Sequence, residues 1–129
     1  METKQIWANL AVKDLERTTR FYTELGFKPN GRSEKLSSFC IGDSNFIIHF
    51  FVKEQLEKFV PKIADLSNGN EIIFSLSAKN KEEVDKCSEE VKKAGGEIFL
   101  EPTEYELVYT FGFSDPDGHK FNVLYCPGM

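Results

Sequence analysis

Apolar and polar positions along the chain follow two rhythms, and the switches between them mark the elements. From Gln5 to Val12, Ile6, Ala8, Leu10 and Val12 alternate with Trp7, Asn9 and Ala11, the period of a strand with two unlike faces. Asp14 stands where a helix N-cap belongs. Leu15, Thr18, Tyr22 and Leu25 then recur at helical spacing until Gly26 supplies a left-handed stop, so a helix is predicted over about residues 15–25. Phe27 to Ser33, Lys35 to Ile41 and Asn45 to Val52 are strand-like and are punctuated by the turn formers Asn30-Gly31 and Gly42-Asp43. They predict a three-stranded meander.

The same order then returns. Glu71 to Ser77 reads as a second opening strand, and Asn80-Lys81-Glu82-Glu83 carries a capping-box signature with Asn80 as cap and Glu83 reaching back. Val84, Cys87, Val91 and Ala94 mark one helical face, and Gly95-Gly96 ends it. Glu97 to Leu100, Leu107 to Phe113 and Lys120 to Tyr125 supply three more strands, separated by Pro102 and by Asp115-Pro116-Asp117-Gly118. The reading is βαβββ twice within one domain: module one over about 1–52, a connector over 53–70 with a short helix near Lys53 to Phe59, and module two over 71–129. A four-stranded sheet with one helix behind it leaves its other face bare, so two such units are expected to bury those faces together or against a neighbouring chain, with a cleft between.

Composition narrows the function classes. The chain has 129 residues, about one domain, with 40% hydrophobic content that includes 12 Phe, 4 Tyr and 1 Trp, enough apolar surface for a core. Sixteen Lys and Arg against twenty-one Asp and Glu give a net charge of −5. With Lys92-Lys93 as the densest cationic pair, no basic stripe is present to neutralise phosphates, so nucleic acid is not an expected partner. The longest apolar runs, such as Phe46 to Val52, fall far short of the ~20 residues that cross a bilayer, and no signal-peptide stretch opens the chain. A cytoplasmic protein with no membrane partner is expected. Cys40, Cys87 and Cys126 are odd in number and lack C-x-x-C spacing, which points to reduced thiols rather than disulfides or a cysteine zinc site.

Val12-Lys13-Asp14-Leu15, continuing through Phe21-Tyr22 to Leu25-Gly26-Phe27, together with Ala94-Gly95-Gly96 and Asp115-Pro116-Asp117-Gly118-His119, resembles the vicinal oxygen chelate superfamily. That superfamily holds glyoxalase I, extradiol dioxygenases, fosfomycin-resistance enzymes and bleomycin-resistance proteins. The resemblance implies an α+β fold of two tandem βαβββ modules forming a cup-shaped, partly closed mixed sheet with helices outside, and a homodimer. The matching strings are themselves structural: they cap, pack and stop a helix and turn the chain, so they identify a scaffold before a reaction.

Metal-dependent relatives are implied to ligate a divalent ion through His and Glu side chains on the inward faces of four strands. Carried onto this chain, those positions are Trp7, five residues before Val12; Ile73 in the second opening strand, with Glu71 two residues earlier; and Asn122, three residues after His119. Only His49 falls near a fourth ligand position. A hard or borderline cation needs at least three donors with an open position, so no resident cofactor is expected, the alternative being Zn, Ni, Mn or Fe. His119 is read as part of the turn.

The candidate set follows. His49 and Glu71 are the candidate catalytic pair, Glu71 as general base beside the imidazole, with Lys120 as an alternative partner for the carboxylate. Trp7, Asn9, His49, Ile73, Ser75, Tyr109 (or Tyr105) and Asn122 are the candidate ligand-binding residues, an apolar wall with a few orienting polar tips. Three functions compete: a metal-free protein binding a small organic molecule in an aromatic cleft, in the manner of bleomycin-resistance proteins; a metal-dependent lyase or isomerase of the lactoylglutathione lyase type, or a ring-cleaving dioxygenase; and an interaction module with a packed cleft.

Overall fold

The alternation that opens the chain becomes strand β1 (Trp7–Val12), and the capped periodic segment becomes helix α1 (Leu15–Glu24). The computed structural model describes residues 1–128. They divide into two compact units, Met1–Ala64 and the chain from Asp65 onward. The first unit continues through β2 (Lys28–Arg32), β3 (Leu36–Ile41), β4 (Phe46–Val52) and a single helical turn, α2 (Lys53–Leu56). The second opens on a 3-10 turn (Leu66–Asn68) and runs through β5 (Ile73–Ser77), α3 (Lys81–Ala94), β6 (Glu97–Tyr105), β7 (Val108–Ser114) and β8 (Lys120–Tyr125).

Each unit is one four-stranded mixed sheet with a helix on one face. The orders are β1-β4-β3-β2 and β5-β8-β7-β6, so the opening strand of each unit lies parallel to the last one and the other pairs are antiparallel. This is the fold class the resemblance implied. No described helix is long and apolar enough to cross a membrane.

The helix-facing positions hold the apolar mass. In the first unit Val12, Leu15, Phe21, Tyr22, Phe39, Ile48 and Phe50 are buried, and Tyr22 stacks on Phe50 with centroids 4.5 Å apart. Phe21 takes the inward position that the spacing assigned to Leu25, which stays half-buried at the helix end. In the second unit Val84 and Val91 of α3 cover Phe111, Phe113, Phe121 and Val123, with Phe113 and Phe121 stacked at 5.1 Å. Ser88 is buried with them, its hydroxyl donating to the Asp85 carbonyl at 2.7 Å. Burying one such side chain is worth about 1.5–3 kcal/mol, so the helix-covered faces dominate the stability of each unit.

The caps form as expected at Asp14, whose carboxylate accepts from the Arg17 amide at 3.1 Å, and at Asn80, which accepts from the Glu83 amide at 2.8 Å. Glu83 reaches back one residue further than a standard capping box, accepting from the Lys79 amide at 3.1 Å. In the last turn the Asp115 carboxylate accepts from the amides of Asp117 (3.0 Å) and His119 (2.9 Å), while Gly118 takes φ +100°. His119 is buried within that turn.

Three boundary expectations are corrected. Asn30-Gly31 is not a turn: it lies inside β2 as a bulge against β3, and the chain reverses at the following residues, 33–35. Pro102 does not end a strand either. β6 runs through it to Tyr105 with one register shift between Ile98 and Leu100 and a second across the proline between Leu100 and Thr103, tolerable because β6 is an edge strand. The second opening strand begins at Ile73 rather than Glu71, because its partner β8 begins at Lys120, directly opposite Ile73.

Candidate functional site

The register sets one polar row on the helix-free face of each sheet. In the first unit Asn9 of β1 pairs with His49 of β4, and His49 pairs on its other side with Ser38 of β3. At the β2 bulge the Asn30 amide donates to the Ser38 hydroxyl at 3.1 Å, extending the row to the sheet edge. Trp7, half exposed at 50%, flanks the imidazole with ring centroids 6.3 Å apart, and Phe51 meets it edge-on at 6.0 Å. Burial lowers the His49 pKa and so favours the neutral imidazole, which offers one donor and one acceptor nitrogen.

In the second unit the matching row is Ser75 of β5, Asn122 of β8 and Gly112 of β7. The bulge on the edge strand falls at the corresponding place, between Ile98 and Leu100, and carries Phe99. A Cβ built on Gly112 would lie 2.5 Å from Phe99 Cζ and closer still to Cε1, so the ring rests where a side chain would otherwise stand. The Oδ1 atom of Asn122 is buried without a hydrogen-bond partner.

Several candidates are thereby placed. Trp7, Asn9 and His49 share one face of the first unit; Ile73, Ser75 and Asn122 share one face of the second. Tyr109 does not join them. It lies in phase with Phe111 and Phe113 on the helix side of β7, where its hydroxyl donates to Asp85 of α3 at 2.6 Å and Lys81 sits 5.4 Å from its ring centre. Tyr105, at the far end of β6, is exposed. Glu71 lies outside β5 and is exposed, so it is not the inward carboxylate that the alternation suggested. Its expected partner Lys120 bonds instead to the Asn70 amide oxygen, and Asn70 in turn donates to the Gly118 carbonyl at 2.9 Å.

Sequence reasoning missed Ser38, Asn30, Phe99 and Gly112. A signal existed for the last: a glycine between two phenylalanines inside a strand marks a close approach. Chemically, the first row can orient a polar group through a neutral imidazole, two amides and a hydroxyl, and it contains no carboxylate to raise the basicity of His49. Among the described residues no group of three His, Cys, Asp or Glu side chains lies together to hold a metal ion.

This paired-module scaffold belongs to the Glyoxalase/Bleomycin resistance protein/Dioxygenase superfamily, whose model matches residues 4–123. Among solved structures the chain is similar to a hypothetical protein from S. aureus, at 34% identity and TM-score 0.88 over 98% of this chain and 96% of that one. It is also similar to a glyoxalase-related enzyme from Fulvimarina pelagi (23% identity, TM-score 0.84, 97% and 90% covered). A third likeness is to the fosfomycin resistance protein FosX from Listeria monocytogenes, solved with Mn(II) and sulfate (22% identity, TM-score 0.73, 99% and 94% covered). No curated protein matches the chain.

Proposed function

We propose that the chain binds a small organic molecule on the helix-free, aromatic-edged faces of its sheets, without a resident catalytic metal. The observation that carries this reading is the donor set at the positions from which metal-dependent relatives are implied to ligate. Trp7, Ile73 and Asn122 offer one neutral carboxamide among them, whereas a zinc- or manganese-type ion needs at least three N, S or O donors. That set does not fit a divalent metal. His49 supports the binding role, since a neutral imidazole between Asn9 and Ser38 orients a ligand by donating and accepting at once.

The chain is further proposed to act as a homodimer in the cytosol. Trp7 and Ile73 are half exposed on the helix-free faces, apolar area of the kind a partner covers, and Cys40, Cys87 and Cys126 are all free thiols.

Metal analysis of untagged protein, paired with a thermal-shift screen of small organic compounds, tests the reading. A compound at a hundred times its dissociation constant adds about 2.7 kcal/mol of stability, an easily read shift. Near-stoichiometric Zn, Ni, Mn or Fe that disappears in His49→Ala overturns the proposal in favour of a metal-dependent lyase, isomerase or dioxygenase. A screen without a single stabilising compound overturns it in favour of an interaction module.

A further inference from the structure

The dipeptide Asn-Gly occurs at Asn30-Gly31 and again at Asn68-Gly69, and the fold treats the two differently. The pair is chemically labile, because a glycine after asparagine has no Cβ to keep its backbone nitrogen away from the side-chain carboxamide. Both asparagines and both glycines are exposed, so access to water does not separate the sites. Restraint does. At the first, the backbone is held in β2, with Pro29 opposite Phe39 and Gly31 opposite Ser38, and the Asn30 carboxamide is fastened across the strands by its 3.1 Å bond to the Ser38 hydroxyl. At the second, Asn68 closes the 3-10 turn Leu66–Asn68, and Gly69 follows it with φ +127° and ψ 177°. That turn is fastened only at its front, where the Asp65 carboxylate accepts from the Ser67 amide at 2.9 Å and from its hydroxyl at 2.7 Å. The Gly69 amide reaches the Leu66 carbonyl at 3.3 Å, past the usual range for such a bond, and among the described residues nothing holds the Asn68 carboxamide.

We propose that Asn68 is a site of spontaneous covalent modification, deamidation with isomerisation of its peptide bond, and that the fold withholds the same reaction from Asn30. The Gly69 nitrogen attacks the Asn68 Cγ. A C–N bond forms and closes a cyclic imide, while the bond from Cγ to Nδ2 breaks, and the side-chain nitrogen leaves as ammonia with the proton given up by the Gly69 amide. Water then opens the ring at one carbonyl or the other, giving aspartate or isoaspartate. In isoaspartate the main chain runs through the side-chain methylene and is longer by that carbon. The same attack at Asn30 requires the carboxamide to leave Ser38 and the strand to come out of its ladder. The insertion at position 68 falls two residues before Asn70, whose amide donates to the Gly118 carbonyl at 2.9 Å and whose oxygen accepts from Lys120, the residue opposite Ile73 where β5 and β8 begin to pair. Isoaspartate therefore loosens the tie at the head of that pairing, whereas aspartate, with the backbone unchanged, leaves it in place. The inference is independent of what the sheet faces bind.

The full chain is aged in warm, mildly alkaline buffer, and the peptides carrying the two sites are followed by mass spectrometry, with the aspartate and isoaspartate products separated by chromatography. Asn68 is expected to convert about tenfold faster than Asn30 or more, the factor set by a local opening that breaks at least one hydrogen bond. In guanidinium chloride, where neither pair is restrained, the two rates should converge. Hydrogen exchange at Ile73 and Phe74 should quicken in the isoaspartate fraction of the aged chain and stay unchanged in Asn68→Asp. Equal rates at the two asparagines in the folded chain, a gap that persists in denaturant, or an isoaspartate fraction whose exchange at the head of β5 matches that of Asn68→Asp overturns the inference.

Discussion

Gly112→Ala isolates the contact on which the second row depends. The new methyl group would enter at 2.5 Å from Phe99 Cζ, inside any real carbon–carbon approach, and at a tight 3.1 Å from Cδ1, so something must move. Phe99 is 47% exposed and sits on an edge-strand bulge, so the ring gives way before the backbone does. Overpacking of this kind costs about 1–3 kcal/mol. Against it stands the ordinary gain of about 0.5–1 kcal/mol for replacing glycine by alanine in a regular element. The net expectation is destabilisation of about 0.5–2 kcal/mol. In a Phe99→Ala background the obstruction is gone, and Gly112→Ala should become stabilising by about 0.5–1 kcal/mol. The assay is a double-mutant cycle by urea unfolding, where a reversal of sign is read directly from the midpoints. Equal costs of Gly112→Ala in the two backgrounds would refute the claim that the ring occupies the alanine position.

Tyr22→Ala removes a fully buried ring stacked on Phe50 and should cost about 3–5 kcal/mol in chemical denaturation, whereas Tyr22→Phe should be mild by comparison. Asn80→Ala loses the cap on the Glu83 amide and should cost about 1 kcal/mol, with exchange protection lost first in the opening turn of α3. For His49 burial holds the folded pKa below the ordinary imidazole value of 6.5, so the unfolded chain binds the proton more readily. The stability from keeping it neutral is present above pH 6.5 and is lost as pH falls toward the folded value; unfolding profiles of the unmodified chain should therefore drop more steeply below that pH than those of His49→Gln. Burial and the neighbouring Glu90 and Glu83 push the Cys87 thiol up to about 11, so at pH 8 only about one molecule in a thousand carries the thiolate. Alkylation followed by peptide mass spectrometry should find Cys87 slow, and rapid labelling there would contradict its placement.

The elements that a single chain segment determines were legible. α1 and α3 announce themselves by a cap, a 3.6-residue period and a glycine stop, and both form within a residue or so of expectation. What a strand does depends on its partner, and there the sequence fell short. Glu71 fits the alternation of β5, but the strand starts only where β8 is available to pair. Tyr109 looks like a polar tip on an aromatic wall, yet its phase relative to Phe111 and Phe113 sends it to the helix side, where Asp85 takes the hydroxyl. Asn30-Gly31 and Pro102 have turn chemistry, and each serves a bulge instead, because an edge strand tolerates a missing or displaced ladder bond. Trp7, His49, Ile73 and Asn122 were carried over from the positions the resemblance implies, Asn9 and Ser75 from alternation, and all lie on helix-free faces because a two-residue period fixes the side once the helix-covered face is known.

The register also separates what the duplication kept from what it did not. Both units retain the parallel first-to-last pairing, and both place an edge-strand bulge at the same remove from the central row. A bulge re-aims the side chain it carries, so this repeated irregularity decides what leans over the row. Asn30 leans over a hydroxyl and completes a hydrogen bond; Phe99 leans over a glycine and completes a packing contact. The first face therefore carries a paired amide and hydroxyl beside the imidazole, and the second a packed ring beside a buried amide oxygen without a partner. Residues that maintain the scaffold must agree between the units because both sheets are built by the same rules. Residues in the rows lie outside the helix packing that the two units share, so each face can carry its own chemistry on one architecture.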